Sequence, residues 1–292
     1  MSETEATLSD RLAQRIFRSV CIEPRPEAEP DHDGYFRWRL EQAKAFLARF
    51  GRPIDFSGRT VLDFGCGFGS MSFVVAAKNA KRVVGVDIDD ERLDYARRRL
   101  ATDYVSLSPT LHFSRPEELR PQDTFDLVIS EDSFEHYEDP VRIMNVIRGY
   151  LGEHGKVLIG FGPLWKSPRG GHLGYMTKVP WAHLLFPERV ILRERRRFRP
   201  LENARTFAEV RGGLNKMTLE KFTRTMAETG FEVESMSTNV LNKRTARVLN
   251  ALRRLPGCRE YFTVNVYAIV SPRRTASALS DGGRLARAVG EG

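Results

Sequence analysis

Short apolar runs alternate along this chain with stretches whose apolar residues recur every three or four positions. The runs near 60–64, 82–87, 110–113, 125–130 and 156–161 are rich in Val, Ile, Leu and Phe and predict buried strands. Between the second and third runs, 90–101 begins with acids and ends with arginines, a polarity that suits a helix dipole. Such alternation predicts a parallel sheet covered by helices. Upstream, 10–19 has helical spacing after a polar, frayed start, and 23–34 is a proline-rich connector. Residues 35–50 predict a second helix whose apolar positions Phe36, Leu40, Ala43, Phe46 and Leu47 form one buried face, placed to cap a cleft. From 162 to 216 the pattern breaks into Gly, Pro, Trp and Arg, and long segments of that kind inside a compact domain usually carry function. Residues 217–238 then give an amphipathic helix, a stop at Gly230 and a sixth strand, and 261–271 alternates as a last one. The small, polar, basic end has no face to pack and predicts disorder.

The first strand runs straight into VLDFGCGFGS at 61–70. Gly65, Gly67 and Gly69 lack Cβ atoms, so a ligand can approach the main chain there. Asp87 ends the second strand twenty residues beyond Gly67, where an acid suits ribose hydroxyls. A dinucleotide loop would carry Gly or Ala three residues after its second glycine, but this chain has Ser70 there and Asp63 inside the motif. That carboxylate would repel a pyrophosphate and attract a cofactor bearing an ammonium and a sulfonium, because the Coulomb interaction changes sign. S-adenosylmethionine carries both cations, which disfavours a dinucleotide oxidoreductase.

These residues resemble the class I S-adenosylmethionine-dependent methyltransferases. The resemblance covers residues 58–162 through VLDFGCGFG, GVDIDD, FDLVISEDSFEHYEDP at 125–140 and VIRGYLGEHGKVLIGFGP at 146–163. It implies an α/β fold, a doubly wound seven-stranded mostly parallel sheet with its last strand antiparallel between the fifth and sixth, and an inserted lid. The resemblance further implies S-adenosyl-L-methionine as cofactor. Asp63 and the Gly65, Cys66, Gly67 and Gly69 loop would then hold its methionine end, Asp87 its ribose and Ile88 its adenine face. The third strand departs from the pattern: LHFSRPEEL at 111–119 offers Ser114 and Arg115 where many relatives place an acid toward adenine. The turn before the fifth strand reads Gly152, Glu153, His154, Gly155 in place of Pro-Gly-Gly. The expected organisation is an N-terminal extension over 1–57, a methyltransferase domain over 58–272 with its lid at 163–216, and a disordered tail over 273–292.

Methyl transfer needs alignment and exclusion of water more than it needs catalytic side chains. An alcohol acceptor must still lose a proton, and His136, in the loop after the fourth strand, is the expected base, with His172 of the insertion as a second candidate. Glu131 and Asp132 share that loop and stand to meet the methionine ammonium or acceptor hydroxyls. The stretch 170–188, with His172, Tyr175, Trp181 and His183, is the expected acceptor determinant, since Trp and Tyr stack on flat or weakly polar groups, while Trp181 and Phe186 are expected instead to pack the segment onto the core. No metal is expected, because convergence of the histidines does not follow from their spacing.

Composition narrows the acceptor. The chain has 292 residues, 41% hydrophobic, which fits one large domain with insertions. No segment reaches a membrane-spanning apolar length and residues 1–20 lack a hydrophobic signal core, so a cytoplasmic protein is expected. Cys21, Cys66 and Cys258 are too few and too scattered for a disulfide framework or a metal knuckle. A net charge of +8 favours anionic partners, yet aromatic residues for base stacking are sparse in the basic stretches 189–211 and 243–259. The expectation is O-methylation of a small-molecule or glycan-type acceptor. An RNA methyltransferase using the basic lid and tail, and a non-catalytic scaffold that only binds the cofactor, are the rivals.

Overall fold

The computed structural model describes residues 7–24, 31–240 and 243–273. Along the chain the helices are α1 (Leu8–Ser19), α2 (His32–Leu47), α3 (Ser70–Ala76), α4 (Asp90–Thr102), α5 (Pro140–Gly149), α6 (Ala182–Leu185), α7 (Glu188–Arg195), α8 (Leu219–Glu228) and α9 (Lys243–Leu252). The strands are β1 (Thr60–Phe64), β2 (Arg82–Val86), β3 (Leu111–Ser114), β4 (Phe125–Glu131), β5 (Leu151–Phe161), β6 (Phe231–Thr238) and β7 (Val266–Pro272). They form one sheet in the order β3-β2-β1-β4-β5-β7-β6, parallel except for β7, which runs antiparallel to both β5 and β6. This is the expected doubly wound arrangement.

The central strands are buried on both faces, which is why they read as unbroken apolar runs. On one face Phe36, Phe46, Phe73, Leu93 and Tyr95 pack α2, α3 and α4 onto the sheet. On the other, Met144, Ile147, Phe222 and Met226 hold α5 and α8. The strand order reverses between β1 and β4, and ligands of open α/β sheets bind outside the carboxyl ends at such a crevice.

Three local expectations change. Helix α1 begins at Leu8 instead of after the ninth residue, because the Thr7 hydroxyl caps it by accepting from the Asp10 amide. The glycines at 152 and 155 do not close a turn; β5 starts at Leu151, opposite Phe125, and its register shifts before Leu127 pairs with Lys156. The segment after β5 also has its own core. Trp165, Tyr175 and Phe186 pack around Phe17, Val190 and Phe207, joining α1 and α7 into a third apolar cluster. Most of the expected tail, 274–292, and residues 25–30 of the connector lie outside the described residues. Among the described residues no helix is long and apolar enough to cross a membrane.

Candidate active site

The glycine loop joins β1 to α3 at the carboxyl edge of the sheet. All three glycines have left-handed backbones, with φ of 81° at Gly65, 54° at Gly67 and 79° at Gly69. Their reasons differ. A Cβ on Gly69 would stand 2.6 Å from the Phe113 ring, and one on Gly65 would stand 2.7 Å from Ser133 Oγ, whereas one on Gly67 would meet only open space. Gly65 and Gly69 therefore allow the loop to pack, and Gly67 keeps its crest bare. Asp87 fixes that crest, its Oδ2 accepting from the Gly67 amide at 2.7 Å and its Oδ1 from the Asp89 amide at 2.9 Å. Next to it Ile88 is 75% exposed, an apolar side chain held in the open at the rim. Ser114 ends β3 opposite Val86, so it stands beside Asp87, while Arg115 is engaged with Asp90 at 2.7 Å and Glu117 at 3.4 Å.

Three acids stand beneath or beside the loop. Asp63 is buried, accepts from Ser72 Oγ at 2.5 Å, and burial pushes its carboxyl up to about 6. Glu131 ends β4; burial pushes it up to about 8, against the pull of Arg39, whose Nη2 lies 3.0 Å from its Oε2. Glu135 is buried and also pushed up to about 8 by burial; its Oε1 accepts from the Gly162 amide at 3.2 Å and its Oε2 has no partner. The Cys66 thiol is driven well above its ordinary range by burial, so it is no nucleophile at neutral pH. A bare crest, an exposed apolar rim and carboxyls on both sides fit a cofactor with an adenosine end and cationic groups, and offer little to a pyrophosphate.

Helix α2 closes this side. Its Arg39 spans the loop after β4, pairing with Glu131 and, through Nη1, with Asp132 at 2.9 Å. Burial opposes the guanidinium charge, but the two acids outweigh it and hold the proton more firmly than usual. Sequence reasoning did not single out Arg39, although a charged residue three after Phe36 and four before Ala43 interrupts the buried face of a helix, and that was a usable signal.

Beyond Asp132 lies a cavity of about 370 Å³, lined among others by Arg49, Asp132, Gly162, Arg169, Asn265 and Tyr267. Its wall draws on the turn that follows α2, the loops after β4 and β5, the inserted segment and β7. Only Asp132 among these was expected. His136 and His172 do come together, with ring centroids 5.7 Å apart, but neither lines the cavity. His136 Nδ1 is bonded to the Gly213 carbonyl at 2.6 Å, fastening the loop after β4 to the inserted segment. Burial pulls His172 down to about 4, leaving it neutral with an unpartnered Nε2. The aromatic stretch expected to recognise the acceptor turns inward instead. Trp181 Nε1 donates to the Lys166 carbonyl at 3.0 Å, His183 Nε2 is 2.5 Å from the Trp165 carbonyl, and Tyr175 packs in the third cluster. Apolar area removed from water decides this, since the segment has no other core to bury those rings in. Among the described residues no three potential metal ligands converge.

Comparison with known proteins agrees with this geometry. A methyltransferase-domain family model matches residues 35–236, more than two thirds of the chain. Phosphoethanolamine N-methyltransferase 1 of Arabidopsis thaliana is 31% identical over 124 residues, covering 41% of this chain and 24% of that protein. The ubiquinone biosynthesis O-methyltransferase of Neisseria meningitidis serogroup C is 30% identical over 117 residues, 39% of this chain and 48% of the relative. The chain thus spans about a quarter to a half of the length of these curated relatives. Among solved structures, the [4+2]-cyclase SpnF superposes with a TM-score of 0.52 at 15% identity, covering 92% of this chain and 98% of that one. That likeness establishes the fold alone, and a cyclase on the same scaffold shows that fold does not fix the reaction. The family match, the strand order and the glycine loop with its flanking acids together place the chain in the class I S-adenosylmethionine-dependent methyltransferase family.

Proposed function

We propose that the protein transfers a methyl group from S-adenosylmethionine to an oxygen of a small-molecule or glycan-type acceptor. The observation that carries this reading is the cavity of about 370 Å³ that opens beside Asp132, a size that suits a small ligand. The O-methyltransferase relative supports oxygen as the accepting atom.

On this reading Asp87 accepts hydrogen bonds from ribose hydroxyls, Ile88 and Ser114 face the adenine, and Asp63, the Gly65–Gly69 loop and Glu131 surround the methionine end. Bound there, S-adenosylmethionine supplies a methyl carbon already activated by its sulfonium. The protein then has to orient the acceptor and exclude water, which α2 does by closing over the loop through Arg39. Asp132 is the acid on the cavity wall, and its side chain is 43% exposed with φ of 50° and paired with Arg39. It accepts the proton that an alcohol gives up. His136, the base expected from the sequence, takes a positioning role through its bond to Gly213, and His172 packs against it.

One further observation weighs against the RNA reading. In the inserted segment Arg195 pairs with Glu202, Arg197 with Glu194, Lys216 with Glu188 and Arg189 with Asp10. Cations answered by acids leave little to release counterions from a phosphate backbone. The test is incubation with S-adenosylmethionine and a panel of hydroxylated metabolites. Acceptor-dependent release of S-adenosylhomocysteine with an O-methyl product supports the reading; turnover only on RNA or protein, or none at all, contradicts it.

A further inference from the structure

The cavity wall carries an imbalance of charge. Asp132, its acid, is already answered by Arg39 at 2.9 Å. Arg49 is near enough to Glu131 to favour its carboxylate, but not in ion-pair contact with it. Among the described residues neither Arg49 nor Arg169 is in an ion pair, whereas Arg39, Arg82, Arg115 and Arg195 all are. Each is nonetheless held in place. Arg49 Nη1 donates to the Tyr267 hydroxyl at 2.7 Å and its guanidinium carbon lies 5.3 Å from the centre of that ring; Arg169 Nη1 donates to the Thr177 carbonyl at 3.3 Å. Two guanidiniums on one cavity wall, neither in an ion pair among the described residues, suit the oxygens of a carboxylate or phosphate.

We propose that the acceptor carries an acidic group, a carboxylate or phosphate, docked between Arg49 and Arg169 while its hydroxyl faces Asp132. This rests on the reading of the cavity as the acceptor site. The acidic group is an anchor and undergoes no change. It gives specificity through charge: a neutral analogue of the same shape leaves both guanidiniums without a partner in a partly desolvated site. The rival occupant of the same cations is the carboxylate of the cofactor's own methionine end, and the variants below separate the two.

Wild-type protein saturated with S-adenosylhomocysteine is titrated calorimetrically with two matched pairs, 4-hydroxyphenylacetate against 4-hydroxyphenylacetamide and glycerol 3-phosphate against glycerol. The expected result is that the acidic member of at least one pair binds about tenfold or more tightly than its neutral partner. The pair that shows the preference identifies the anion. Arg49→Gln and Arg169→Gln each abolish that preference with S-adenosylhomocysteine affinity unchanged, and Arg169→Lys, which keeps the charge, retains part of it. Equal binding of acid and neutral partner in both pairs overturns the proposal. So does a fall in S-adenosylhomocysteine affinity in Arg49→Gln, which would assign that cation to the cofactor. If wild-type protein fails to bind S-adenosylhomocysteine, the cofactor reading falls instead, and the acid-neutral comparison is read on the protein alone.

Discussion

The two sides of the cleft are built differently. The cofactor side comes from neighbours in sequence, Gly65 to Gly69 and Asp87 to Ile88, and its shape is mostly backbone. The proposed acceptor side gathers Arg49, Asp132, Arg169 and Tyr267 from four distant parts of the chain, and its shape is mostly side chain. A backbone cradle tolerates few substitutions and one kind of ligand. A wall of side chains on separate elements can change one residue at a time without disturbing the sheet, which is how one fold serves many acceptors.

The contrast implies effects of different kind and size. On the backbone side, Gly69→Val places a branched side chain at φ of 79° and 2.6 Å from the Phe113 ring, so it should cost about 3 kcal/mol or more of stability and remove cofactor binding. Denaturant unfolding and calorimetry read both, and near-normal values would show that the loop is softer than its packing indicates. On the side-chain side, Asp132→Asn should lower kcat for an alcohol acceptor by about 10²- to 10³-fold with the fold and cofactor affinity preserved. His136→Ala should lower it by less than about tenfold, and a reversal of that ranking would return the base to the histidine. Asp87→Ala should weaken S-adenosylhomocysteine binding by about 1.5–3 kcal/mol and leave acceptor affinity alone.

The smallest effect concerns Glu135, which lies beneath both sides. Burial pushes its carboxyl up to about 8 from the ordinary glutamate value of 4.5, so the folded state binds the extra proton and this group's contribution to stability falls as pH rises from about 4.5 to 8. Glu135→Gln keeps the oxygen that accepts from Gly162 and removes the charge. The variant should match wild type at pH 4 and exceed it by about 1–2 kcal/mol at pH 8.5, by thermal unfolding at both pH values. Equal stability at high pH would show that the acid is solvated or paired on ionisation.

What was legible in the sequence follows the same division. Runs of Val, Ile and Leu locate central strands because burial on both faces allows no polar alternation, and the glycine loop announces itself because only missing Cβ atoms permit its turns. β7 lies beside β5 as the family resemblance implied. The acceptor wall was not legible. Nothing in the vicinity of Arg49 or Arg169 marks them off from the other arginines of a chain with 46 Lys and Arg residues, because what distinguishes them is that the fold brings both to one cavity wall. The aromatic rings of 170–188 were open to two readings for a related reason: composition shows that a ring needs a partner but not whether the partner is ligand or core. His136 and His172 were singled out as candidate bases, and their contacts with Gly213 and with each other depend on how the inserted segment folds back.

The most direct test of the central claim, that acids around a bare glycine crest hold S-adenosylmethionine, is parallel calorimetric titration of the wild-type protein with S-adenosylhomocysteine and with NAD. The account predicts saturable one-to-one binding of S-adenosylhomocysteine and no measurable heat from NAD. Binding of NAD in preference, or of neither, would contradict it.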